Sequence, residues 1–138
     1  MEENWYPAEN EYDPGITKEQ WKEFVTDRNI FTEDSLIAFA CIQKSTLATC
    51  TDMAEEFGRT KNFYNNAIWR TGEKVHKLTN CPLSLSPDKT ERFWSICCLG
   101  RKLQNGRIEF KIRPELKKSF DETGALKGIE VMENENRN

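Results

Sequence analysis

The amino-acid sequence predicts an α+β fold, mainly helical, with the layout of a winged helix-turn-helix carrying a two-stranded basic wing. Three observations carry that expectation. A short amphipathic helix beginning at Thr49 ends at Gly58, and the turn Arg59-Thr60-Lys61 leads into a longer helix with one polar face. Further on, an apolar run and an alternating stretch flank Asn105-Gly106, which is a hairpin signature. Lys and Arg outnumber Asp and Glu by fifteen to eight over residues 44–118, against three to ten over 1–43 and two to five over 119–138. A basic middle between acidic ends is the electrostatic footprint expected for a phosphate-bearing partner.

At 138 residues the chain has room for one compact domain, expected over 16–121. Residues 1–15 read as an acidic aromatic arm with neither helical nor strand period, including Trp5, Tyr6 and Tyr12, able to dock on a partner or to fold back over the core. Thr17-x-x-Gln20 is a capping box, and Trp21, Phe24 and Val25 follow at helical spacing. Thr32 caps a second helix with Glu33 and Asp34 in its first turn and a broad apolar face that predicts burial. Thr49 starts the third helix, where Cys50, Met53, Ala54 and Phe57 recur at i, i+3, i+4 and i+7. Thr60 caps the fourth, running to about residue 78, with Tyr64, Ile68, Thr71, Val75 and Leu78 on its packing face. A Pro- and Ser-bearing loop over 79–91 precedes a strand predicted at 93–99. The returning strand alternates Ile108, Phe110 and Ile112 with Arg107, Glu109, Lys111 and Arg113, which predicts a basic outer face. Pro114 suits the first position of a last helix reaching about residue 120, before an acidic tail over 122–138 expected to be disordered.

Several classes of function are disfavoured by composition. No apolar run approaches the roughly 18 residues of a membrane span, and Met1-Glu2-Glu3 is acidic where a secretory leader is basic, so a cytoplasmic protein is expected. The five cysteines are odd in number and form no C-x-x-C pair, which argues against a disulfide framework. His76 is the single histidine, and no set of paired ligand spacings accompanies it, so neither metal nor other cofactor is expected.

The chemistry points instead to the long helix. A helix entering the major groove needs short or forked polar side chains near its N-terminus, where they reach base edges while free N–H groups and the dipole favour phosphate. Thr60, Lys61, Asn62, Asn65, Asn66, Arg70 and Lys74 meet that need, with Asn suited to adenine and Arg to guanine or phosphate. Arg101, Lys102 and Arg107 on the wing would straddle the backbone beside them. Trp69 either stacks on an exposed base or, the commoner role, packs beneath the wing. One pattern mimics a metal-dependent nuclease: Asp88 with Glu109-x-Lys111. Its acids fall in a loop and on a wing rather than at sheet ends, so no catalytic residue is expected.

Five segments, Tyr12-Asp-Pro-Gly-Ile-Thr-Lys-Glu-Gln-Trp21, Ala48-Thr-Cys-Thr51, Phe57-Gly-Arg-Thr-Lys-Asn-Phe-Tyr-Asn65, Cys81-Pro-Leu83 and Ile112-Arg-Pro-Glu-Leu116, resemble the N-terminal recognition module of McrB-like AAA+ restriction proteins. The likeness spans about residues 12–120. It implies a module that recognises double-stranded DNA, often modified, without cutting it; the motor that follows it in that family lies outside this sequence. A stand-alone recognition unit, regulator or accessory protein of a prokaryotic or phage defence system is the resulting expectation. The alternative is a protein adaptor, dimeric or bound in a defence complex, that docks on a nucleoprotein effector such as a CRISPR nuclease and modulates it, using the aromatic arm or an exposed helix face.

Overall fold

The computed structural model describes residues 5–7, 11–85 and 88–133. Among them, six helices and one two-stranded antiparallel sheet follow the order α1 (Lys18–Val25), α2 (Glu33–Lys44), α3 (Cys50–Phe57), α4 (Lys61–Thr79), α5 (Trp94–Cys97), β1 (Cys98–Lys102), β2 (Ile108–Ile112) and α6 (Pro114–Thr123). The fold is α+β, and about half of it is helix.

Each of the first four helices starts where a threonine side chain accepts from a backbone N–H three residues on: Thr17 from Gln20, Thr32 from Ser35, Thr49 from Asp52 and Thr60 from Phe63. Such a cap satisfies one of the orphan donors at a helix start and is worth ~1 kcal/mol. Pro114 stands at the first turn of α6, as its missing N–H allows. The core is aromatic at its centre. Phe31 packs on Phe39 and Phe120 with ring centroids 5.6 Å apart, and Trp21, fully buried, abuts Phe31 at 6.4 Å. This cluster joins α1, α2 and α6, and Glu122 ties α6 to α1 through Lys18 and Lys22 at 3.0 and 2.8 Å.

The predicted strand at 93–99 is corrected. Residues 94–97 form a helical turn, and the strand starts at Cys98 and reaches Lys102. A short run apolar on both sides fits a buried helical turn as well as a buried strand, so periodicity does not separate them. The turn is started by Arg92, whose carbonyl accepts from both the backbone N–H and the hydroxyl of Ser95. It is also pressed onto α4: a Cβ on Gly72 would lie 2.0 Å from the Phe93 carbonyl oxygen, so backbone meets backbone there. Leu78 is a second correction. It falls on the packing arc of α4 but is 61% exposed, since the buried arc of the helix ends at Val75 and the last turn is covered only on the His76 side, by Phe93 and Cys81.

In the hairpin, Cys98 faces Ile112, Gly100 faces Phe110 and Lys102 faces Ile108, and the turn is closed by Leu103 N–H donating to the Arg107 carbonyl at 2.8 Å. Both flanks of the ribbon carry a single-residue bridge. Tyr6 and Gly100 exchange two backbone bonds of 2.8 Å beside β1, and Phe110 N–H donates to Ala48 at 2.9 Å beside β2, pairing Thr49 with Glu109. The described part of the aromatic arm therefore folds back on the domain. The stretch expected to be a disordered tail also packs on the domain as far as Glu133: Ala125, Leu126, Ile129 and Val131 rest against the core, apolar residues spaced through a segment whose charge dominated its sequence reading. Residues 1–4, 8–10 and 134–138 of the predicted arm and tail lie outside the described residues.

Candidate nucleic-acid interface

The head of α4 is built by the turn before it. Gly58 closes α3 at φ +94°, a conformation an L side chain rarely adopts, and Arg59 follows in the left-handed region at φ +69°. Tyr64, one turn into α4 and fully buried, donates its hydroxyl to the Gly58 carbonyl at 2.6 Å, and burial pushes that phenol up to about 12. The turn is thus pinned from inside α4. Its register leaves Lys61, Asn62, Asn65, Asn66 and Arg70 exposed and Lys74 half-buried, while Tyr64, Ala67, Ile68, Thr71 and Val75 are buried. Thr71 fixes the opposite side by bonding Ser35 of α2 at 2.6 Å.

The exposed stripe has two different flanks. On one, Lys61, Asn62 and Asn65 meet Thr49, Cys50 and Thr51 of α3 and its cap, together with Arg107, Ile108 and Phe110, around a cleft of about 260 Å³. On the other, Asn66, Arg70 and Lys74 share a cleft of about 460 Å³ with Glu33 and Asp34 at the start of α2. The first flank is polar and cationic; the second sets cations beside acids. Trp69 stands 38% exposed on the stripe, edge-on to Phe93 at 5.1 Å, so it packs beside α5 rather than beneath the hairpin tip.

The basic outer face expected of the hairpin is corrected, because Arg101 and Arg107 are paired with acids and Arg113 is buried. Arg101 lies opposite Glu109 in register and binds its carboxylate at 2.6 Å, with Trp5 stacked 4.6 Å from both Arg101 and Lys111. Arg113 is 3% exposed, donates from Nε to the Ser95 carbonyl at 2.7 Å and lies 5.4 Å over the Tyr12 ring. Alternation places Arg101, Glu109 and Lys111 on one side of the ribbon and Lys102, Ile108 and Phe110 on the other, the side that lines the cleft with α4. Arg101 therefore faces away from α4, and Lys102, which is exposed, lies on the cleft side.

Arg107 does reach the cleft, held by an acid whose partnership the sequence did not reveal. Its Nη1 lies 2.9 Å from Asp52 Oδ1, and the Thr49 hydroxyl donates to the other carboxylate oxygen. The Thr49 hydrogen bond first, then Arg107, hold the Asp52 carboxyl below its usual range. Asp52 reads locally as an ordinary first-turn acid, and its bond to Arg107, 55 residues away, has no local signature. Cys50 lies beside them, and burial pushes its thiol up to about 11, which leaves it protonated and poorly nucleophilic at neutral pH. The nuclease-like residues do not gather: Glu109 is engaged by Arg101, Asp88 accepts from the Thr90 backbone N–H at 3.0 Å, and no group of three potential metal-binding side chains occurs among the described residues. His76 Nδ1 lies 2.8 Å from the Cys81 carbonyl and fastens the loop to α4. Among the described residues no helix is long and apolar enough to cross a membrane. Compared with known proteins, the chain matches no family model and gives no significant match among curated proteins or solved structures.

Proposed function

We propose that the domain is a non-catalytic DNA-binding module of winged helix-turn-helix type, in which α4 enters the major groove and the hairpin lies along the adjacent backbone. The observation that carries this reading is the convergence of Lys61, Asn62 and Asn65 with Arg107 on one cleft between α4 and β2. The order of α3, tight turn, α4 and hairpin supports it, as does the single-residue bridge of Thr49 to β2, at the position where a winged-helix sheet has its third strand. In this reading Lys61, Arg70, Lys74 and Lys102 meet phosphates, while Asn62, Asn65 and Asn66 present donor and acceptor pairs to base edges. Arg101 is removed from the interface. The resemblance to restriction-system recognition modules suggests an accessory role in defence.

A salt titration of duplex binding tests the reading. Four phosphate contacts give a slope of log affinity against log salt of about −3.6. Binding that is absent at low salt overturns it.

The adaptor reading rests on a different surface. A largely apolar cleft of about 380 Å³ runs between α2, β2 and α6, lined by Trp5, Ile42, Ala48, Ile112 and Pro114. A chain that binds no duplex yet forms a dimer or captures an effector through this cleft, and loses that contact on Ile42→Glu, would favour it.

A further inference from the structure

We propose that residues 129–133 form an intramolecular latch whose Glu133 carboxylate neutralises the head of α4 and opposes phosphate there. The inference rests on the DNA-binding reading above. Glu133 reaches the α3–α4 turn with three contacts: its backbone N–H donates to the Phe57 carbonyl at 2.8 Å, its Oε1 accepts from the Arg59 backbone N–H at 2.9 Å, and its Cβ packs so close to Gly58 that a Cβ there would come within 2.8 Å of it. Two residues earlier the Val131 carbonyl accepts from Arg59 Nη1 at 2.7 Å. The turn thus holds a carboxylate in a cradle that only glycine leaves open.

The charge pattern says why the contact matters. The first turns of α1, α2, α3 and α6 each carry their own acid: Glu19, Glu33 with Asp34, Asp52 and Glu115. That of α4 carries none, and a carboxylate reaches the turn just before its Thr60 cap, on the Arg59 backbone N–H, from Glu133, 74 residues further along the chain. A negative group there offsets the positive end of the helix, the same feature that attracts phosphate. The latch is also lightly seated. Met132 is 53% exposed, and a cleft of about 320 Å³ remains between Ile37, Arg59 and Ile129, so freeing Met132 and Glu133 alone, with Ile129 and Val131 still packed on the core, uncovers little apolar surface.

The test uses the full chain and its Glu133→Gln variant, which removes the charge while keeping a side chain that accepts from Arg59. Duplex affinity of the variant should rise roughly 3-fold, with a salt slope steeper by about one unit, and adding duplex to the ¹⁵N-labelled wild type should shift the Arg59 and Glu133 amides with those of Lys61 and Asn62. Duplex that binds and shifts Lys61 and Asn62, with Arg59 and Glu133 unmoved and the variant no tighter, overturns the latch and leaves the DNA reading standing. Duplex that binds neither protein overturns both. Glu133→Ala separates charge from contact: a lower melting temperature with unchanged affinity marks the segment as purely structural and rejects the latch.

Discussion

The lysines and arginines of α4 and those of the hairpin look alike in sequence and meet different fates in the fold. On α4 the cations project from a helix whose opposite arc is buried against α2 and α3, and Lys61 and Arg70 stay exposed. In the hairpin, strand alternation sets Arg101 directly across from Glu109, leads Arg113 into the interior and leaves Arg107 within reach of Asp52. A cation on a helix is exposed or buried largely by its angle, whereas a cation on a strand is also governed by the residue opposite it. Counting basic residues therefore overstates the hairpin as a phosphate-binding surface.

The contrast can be broken or sharpened by substitution. The largest effect should come from the seat that keeps the α4 face fixed: Gly72→Ala drives a Cβ into the Phe93 carbonyl, a clash of backbone against side chain that should cost about 3 kcal/mol of stability in urea unfolding. Full stability in that variant would mean α4 and α5 slide freely past one another. Next, Lys61→Glu with Arg70→Glu should weaken duplex binding more than about 100-fold at moderate salt, while Arg101→Ala stays within about 2-fold, both read by fluorescence anisotropy. Equal losses for the two would erase the distinction between helix and hairpin. Arg101→Ala should instead lower stability by about 1 kcal/mol, since a pair one-third exposed on the Arg side and 17% exposed on the Glu side is partly screened. A melting temperature identical to wild type would show the pair to be idle.

The smallest effect is on pH dependence. Because Asp52 titrates lower in the fold than its ordinary 3.8, its bonds contribute stability above that value, lost as acid carries the pH down through the depressed one. Asp52→Asn should therefore flatten stability against pH in that acid range and leave the neutral region sloping as before. A wild-type acid limb retained in Asp52→Asn would assign the dependence to other carboxylates.

What could be read in advance was whatever rests on neighbours in sequence. The caps Thr17, Thr32, Thr49 and Thr60, the stop at Gly58 and the start at Pro114 are contacts spanning three or four residues, and each stands in the fold where its local pattern places it. The exposed stripe on α4 was legible for the same reason, since helical angle follows from numbering. Residues 93–97 were not, because an apolar run that short carries no distinguishing period. The partners of Arg101, Arg107 and Arg113, and the seating of Glu133 on Arg59, depend on register and on contacts across the chain that no window of sequence contains. Of the candidate site, the α4 stripe and the approach of Arg107 to it follow from the order of elements, whereas the pairing of Arg107 with Asp52 and the turning of Arg101 away from α4 needed the register.

The bridges made by Tyr6 and Thr49 carry a consequence for behaviour in concentrated solution. A bare two-stranded ribbon exposes rows of unpaired amides to any extended chain that drifts past. Here both rails are already gripped at mid-ladder, at Gly100 and at Glu109, so a foreign strand must evict resident backbone before it can stack. In the DNA-binding reading the Lys102 end of the ribbon extends toward the polyanion while its gripped rails guard it against self-templating into fibrils.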